Sequence, residues 1–200
     1  DGLQSGEPFA SLFTQGMVVH ETYKSASGAW LLPEDTEIKD GKRIEIAGGA
    51  PVQVGDIEKM SKSKKNVVDL DAFISDFGAD VARWFVLSDS PPERDVEWTA
   101  SGAEGCWRFV QRIWALYDQH PEQAGDPLAR VQNAEGAGLE ALRAAHRCAA
   151  QVTANIDGFG FNRAVAAIHE CVNALKDDNP AAHAAARTEA LGILARLIAP

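Results

Sequence analysis

Two hundred residues, 46% of them hydrophobic, can bury a core sufficient for one domain or two small ones. A formal net charge of -10 argues against indiscriminate nucleic-acid binding, whose sequence-independent affinity comes from neutralised phosphates, although an acidic molecule can still present a local basic face. No run of about 18 apolar residues exists, so no membrane span is expected. Three widely spaced cysteines without a C-x-x-C pair speak against a disulfide framework and for a reducing cytoplasm. The five histidines never approach one another at ligand spacing, so no zinc site is expected. Residues 1–7 carry no initiating Met and no signal-peptide pattern, which reads as a cut made inside a longer chain.

Residues 9–19 form an apolar run without helical period, which predicts a buried strand of a parallel sheet with Met17 and Val18 in the core. From His20 to Gly55 the chain is broken by Ser27-Gly28, Pro33-Glu34-Asp35, Asp40-Gly41 and Gly48-Gly49. Short β-like pieces at 18–23, 29–32, 43–47 and 51–54 predict a small β insertion of hairpins, with Trp30 as its core anchor.

Residues 59–65, Lys59-Met60-Ser61-Lys62-Ser63-Lys64-Lys65, place four lysines within seven positions, the strongest positive feature of the chain. Such a cluster is either a solvated basic turn or a site for something anionic. Ser61 and Ser63 supply little volume and two hydroxyls, and Gly55 upstream with Asp69 downstream suggests a loop running into a helix. A loop of this kind can close over polyphosphate and bring ammonium groups to it.

Asp69 predicts the cap of a helix ending near Phe77, with Gly78 as its stop. A second helix over 79–87 offers Val81, Trp84, Phe85 and Leu87 for burial, and Ser90-Pro91-Pro92 breaks it into an extended connector reaching Trp98. Ser101-Gly102-Ala103-Glu104 has capping-box spacing and begins a helix with a stripe of Cys106, Phe109, Val110, Ile113, Trp114 and Tyr117. After a loop at 120–127, helices are expected over 138–155 and 161–176, then a last one opened by Asn179-Pro180 and carrying Leu191, Leu194, Leu197 and Ile198. Four antiparallel helices would bury these stripes mutually. His146 and His169 read as structural, and Arg108, Arg112 and Arg163 as a solvated face or a basic one.

Lys59-Met60-Ser61-Lys62-Ser63 matches every letter of the KMSKS signature, and the chain thereby resembles class I aminoacyl-tRNA synthetases. Residues 8–19, 78–85, 90–98, 104–109 and 161–168 extend the resemblance to the leucyl-tRNA synthetases. Isoleucyl and valyl relatives share the loop but usually follow it with Gly-Asn where this chain has Lys65-Asn66, and they stand as alternatives, as does a non-catalytic tRNA-binding helical module. The resemblance implies the end of a Rossmann-like catalytic domain with a β insertion over 1–98 and a mostly helical, anticodon-binding-type bundle, truncated, over 99–200. It implies a cytoplasmic ligase whose partners are ATP with Mg2+, leucine and tRNA(Leu), with no DNA or membrane. It further implies Lys62 as the principal phosphate contact, Lys59 assisting, Met60 against the adenine, and Ser61 and Ser63 holding the loop. Leu70 departs from the family's usual Pro at the first helical position, and the His-x-Gly-His element, the amino-acid pocket and the editing domain have no counterpart here. The segment alone is therefore expected to be inactive.

Overall fold

The structure, a computed structural model, describes residues 6, 9–119, 134–176 and 183–199. It is mixed α/β and mostly helical. The expected loop at 120–127 and the expected cap at Asn179-Pro180 lie outside the described residues.

Strand β1 (Val18–Lys24) organises the sheet. Its β-branched and aromatic residues suit a half-buried pleat, and His20, Thr22 and Tyr23 are buried. One edge pairs antiparallel with β5 (Gln53–Lys59), in a register that sets Val19 opposite Lys59 and Lys24 opposite Gln53. The other edge takes β2 (Trp30–Leu31) antiparallel and, at its start, β6 (Val96–Glu97) parallel. A separate hairpin of β3 (Thr36–Lys39) and β4 (Lys42–Glu45) follows a single 3-10 turn.

This corrects the expected parallel strand over 9–19. Pairing begins only at Val18, Phe9 and Leu12 are largely exposed, and Met17 lies at the surface. The preceding stretch is strapped to the 92–95 turn instead: the Gly16 amide donates to the Pro92 carbonyl at 2.8 Å and the Met17 amide to Asp95 Oδ1 at 2.8 Å. A Cβ at Gly16 would overlap the Arg94 carbonyl, so only glycine permits this approach. Strand β3 was not foreseen, and β5 runs on through Gly55 into the lysine run. Gly55 is therefore a close-packing position, where a Cβ would meet Thr22 Oγ1 at 2.6 Å, and not a turn. Trp30 is half-buried, with Lys24 Nζ 4.2 Å from its ring centre.

Helix α1 (Leu70–Phe77) opens as expected at Asp69, whose carboxylate accepts from the amides of Asp71 and Ala72, and stops at Gly78, φ +89°. Helix α2 (Ala79–Ser88) buries Val81, Ala82 and Phe85; Leu87, expected inside, is exposed. Trp98 anchors this layer, its ring 4.8 Å from both Phe73 and Phe85. Helix α3 (Ala100–Asp118) is capped by Thr99, not by Ser101: the Gly102 amide donates to Thr99 Oγ1 at 3.2 Å.

Helix α4 (Gly136–Asp157) reverses through a three-residue turn into α5 (Phe161–Ala174) and packs also on α6 (Ala184–Ile198). The core of these helices includes Phe109, Ile113, Leu142, Val152, Ile168, Val172, Leu175, Leu191 and Leu194. Full burial of a leucine such as Leu175 or Leu194 stabilises by about 1.5–3 kcal/mol. Trp114, placed in a core stripe by periodicity, is exposed, and so is Ile156 near the end of α4. Tyr117 donates its hydroxyl to the Leu191 carbonyl at 2.7 Å, tying α3 to α6. All three cysteines are free thiols, and Cys148 donates to the Ala167 carbonyl at 3.5 Å. Among the described residues no helix is long and apolar enough to cross a membrane.

Candidate functional site

The lysine run straddles the end of β5. Lys59 is the last strand residue, and the Met60 amide still reaches the Val18 carbonyl at 3.3 Å. The chain then turns tightly, the Lys64 amide donating to the Ser61 carbonyl at 3.2 Å and the Lys65 amide to the Lys62 carbonyl at 3.3 Å. The hydroxyls of Ser61 and Ser63 bond each other at 2.8 Å across the turn. Lys65 closes it with φ +55°, in the left-handed region.

Asn66 ties this turn to the sheet. Its side chain is fully buried. Oδ1 accepts from the Ser61 amide at 2.9 Å, and Nδ2 faces the carbonyls of Glu58, Lys59 and His20 at 3.2, 3.3 and 3.3 Å. Behind it, Tyr23 donates to Glu21 at 2.8 Å, the Arg43 guanidinium lies 4.2 Å over the Tyr23 ring, and Arg43 donates to Thr36 Oγ1 at 2.9 Å. The β3–β4 hairpin is thus fastened to β1. Burial, with the bond to Glu21 adding to it, pushes the Tyr23 phenol up and keeps it neutral.

The four lysines are not equivalent. Lys64 pairs with Glu58, which cancels its charge locally. Lys59, Lys62 and Lys65 are exposed and form no ion pair among the described residues. Three uncompensated ammonium groups therefore project from one short turn of an acidic molecule, a geometry that attracts a polyanion. The expected basic face is less free: Arg108 pairs with Glu104 at 3.6 Å, and the Arg112 guanidinium lies 5.2 Å from the Phe109 ring centre. No contact among the described residues links Arg108, Arg112 or Arg163 to the loop lysines.

His169 is half-buried between Phe109 and Trp84, and burial, with Arg112 second, lowers its pKa. Among the described residues no group of three or more His, Cys, Asp or Glu is placed to hold a metal ion.

The family model for tRNA synthetases class I (I, L, M and V) matches residues 50–99, the segment from the approach to β5 through β6. The leucine–tRNA ligase of Maricaulis maris (strain MCS10) is 61% identical over 200 residues, covering 99% of this chain and 23% of that protein. That of Hyphomonas neptunium is 55% identical over 199 residues, with coverage of 99% and 23%. The chain thus spans about a quarter of the length of the curated relatives it matches. Among solved structures, the Agrobacterium radiobacter K84 agnB2 LeuRS, in a ternary complex with tRNA and LeuAMS, aligns with TM-score 0.66 over 98% of this chain and 22% of that one; at 23% identity this likeness concerns the fold alone.

Proposed function

We propose that this chain is the part of a leucine–tRNA ligase that carries the mobile, triphosphate-binding loop and a tRNA-contacting helical bundle. The single observation that carries the reading is the turn at 59–65, matching the KMSKS signature letter for letter and holding Lys59, Lys62 and Lys65 without carboxylate partners among the described residues. In the parent reaction an oxygen of the leucine carboxylate bonds to the α-phosphorus of ATP, the bond to the β-phosphate bridging oxygen breaks, and pyrophosphate leaves. The leucyl group then passes to the terminal adenosine of tRNA(Leu). Charge builds on the departing pyrophosphate, and only contacts that strengthen as it builds accelerate the step.

Lys62, at the exposed tip, is the principal contact to that charge, and Lys59, at the strand end, assists. Met60 lies against the adenine, while the paired Ser61 and Ser63 hydroxyls keep the tip compact. Mg2+, when bound, would supply charge neutralisation on the triphosphate; among the described residues no group of three or more His, Cys, Asp or Glu is placed to hold it. Residues 1–98 form the end of the Rossmann-like catalytic domain and 99–200 an anticodon-binding-type bundle. Three free thiols accord with a reducing cytoplasm. The segment alone activates no leucine.

In the full-length ligase, Lys62→Ala is expected to slow leucine-dependent pyrophosphate exchange on the order of 10²-fold, the usual loss on removing one transition-state donor. An unchanged rate overturns the role given to this loop.

A further inference from the structure

We infer that Asn66 is a positioning residue for adenylate formation: it clamps the base of the lysine loop so that Lys59 stays fixed to the sheet while the tip bearing Lys62 moves. This rests on the function proposed above.

The side-chain amide of Asn66 is fully buried and meets four backbone groups. Its orientation is settled by those partners, because the Ser61 N–H needs an acceptor and three carbonyls need a donor. Reversed, the oxygen would face the three carbonyls. The partners come from three places: His20 on β1, Glu58 and Lys59 at the end of β5, and Ser61 at the start of the turn. One amide therefore ties the position at which the chain leaves the sheet to the far end of the turn. Between these anchors, Lys62 and Ser63 are exposed, and among the described residues the turn is closed by amide bonds of 3.2 and 3.3 Å, the hydroxyl pair and the Lys64–Glu58 ion pair, none of which holds the Lys62 side chain. The lysine on the clamped side and the lysine on the open side thus differ in freedom although three residues apart. A loop that closes on triphosphate needs such a division, since a tip swinging from an unfixed base would reach the same point only at a larger entropic cost.

Asn66 touches no reacting atom, so its effect must pass through Lys62. In the full-length ligase, Asn66→Ala is expected to reduce pyrophosphate exchange on the order of 10- to 100-fold. Transfer of leucine from preformed adenylate to tRNA is expected to stay within about threefold of wild type. In a Lys62→Ala background the added effect of Asn66→Ala is expected to fall to about threefold or less, because the two act on one contact. Equal fold-losses in both backgrounds, or wild-type exchange by Asn66→Ala, overturn the inference while leaving the loop's role intact. A wild-type rate for Lys62→Ala alone overturns both. Should Asn66→Ala melt below the assay temperature, Asn66→Asp serves. Its carboxylate still accepts from Ser61 but faces three carbonyls, and it regains a donor on protonation. Its exchange rate relative to wild type is expected to rise as pH falls from about 8 to 6, and a flat ratio overturns the clamp.

Discussion

At position 65 the backbone asks for a residue that the side chain resists. Lys65 has φ +55°, where a Cβ crowds the following carbonyl at a cost of roughly 1–2 kcal/mol. Glycine escapes that cost but gives more freedom to the unfolded chain, worth about 0.4–1 kcal/mol. The first effect exceeds the second, so Lys65→Gly is expected to stabilise by up to about 1 kcal/mol in urea unfolding, and Lys65→Val to destabilise by about 1–2 kcal/mol. If both variants unfold at the wild-type midpoint, the strain assigned to this turn is absent. The lysines and serines of the loop were legible in the sequence because charge and motif are local properties. The clamp was not. Asn66 bonds to His20, 46 positions away, and nothing in a Lys-Asn dipeptide says which carbonyls will surround the amide. Glu58 likewise sits among ordinary strand residues until the turn brings Lys64 over it.

Helix starts show how tertiary context overrides a good local pattern. Ser101-Gly102-Ala103-Glu104 has the spacing of a capping box, yet the Trp98 amide bonds to the Val19 carbonyl at 2.9 Å and holds the chain to the sheet edge until the residue before Thr99. The helix begins immediately afterwards, leaving Thr99 extended at φ -127°, ψ 142°, with its hydroxyl on the Gly102 amide. Thr99→Ala is therefore expected to cost about 1 kcal/mol in denaturant unfolding, and Ser101→Ala less than about 0.5 kcal/mol. The reverse order would restore the capping box. By contrast Asp69 and Gly78, which bracket α1, were readable because each acts within about one turn of its own position, Asp69 on the amides of Asp71 and Ala72 and Gly78 on the Ile74 carbonyl. The 9–17 stretch misled for the opposite reason: apolar composition signals burial, but strand formation needs a partner, and only from Val18 onward does one exist.

A stack of three rings joins three helices, Trp84 on α2, Phe109 on α3 and His169 on α5. Phe109 and His169 lie 3.6 Å apart at 21°, and Trp84 and Phe109 5.1 Å apart at 28°. Periodicity placed Trp84 and Phe109 on inward faces and His169 read as structural, but no sequence signal brings the three together. Trp84 Nε1 is buried there with no hydrogen-bond partner among the described residues. Protonating His169 puts a charge into that joint beside the Arg112 guanidinium, which itself lies over Phe109. Burial is the larger cause of the lowered pKa, with Arg112 second. Between the lowered folded value and the ordinary value near 6.5, the unfolded chain binds more protons than the folded one. Stability from this group is therefore complete above about pH 6.5 and declines as pH falls through the folded value, levelling off below it. His169→Phe keeps a stacking ring and removes the titration. It is expected to match wild type within about 1.5 kcal/mol at neutral pH and to lose less stability between about pH 6.5 and 5, as measured by denaturant midpoints. An identical acid-side decline in both proteins would mean that this three-helix joint is indifferent to the proton, and that the pH response comes from elsewhere in the chain.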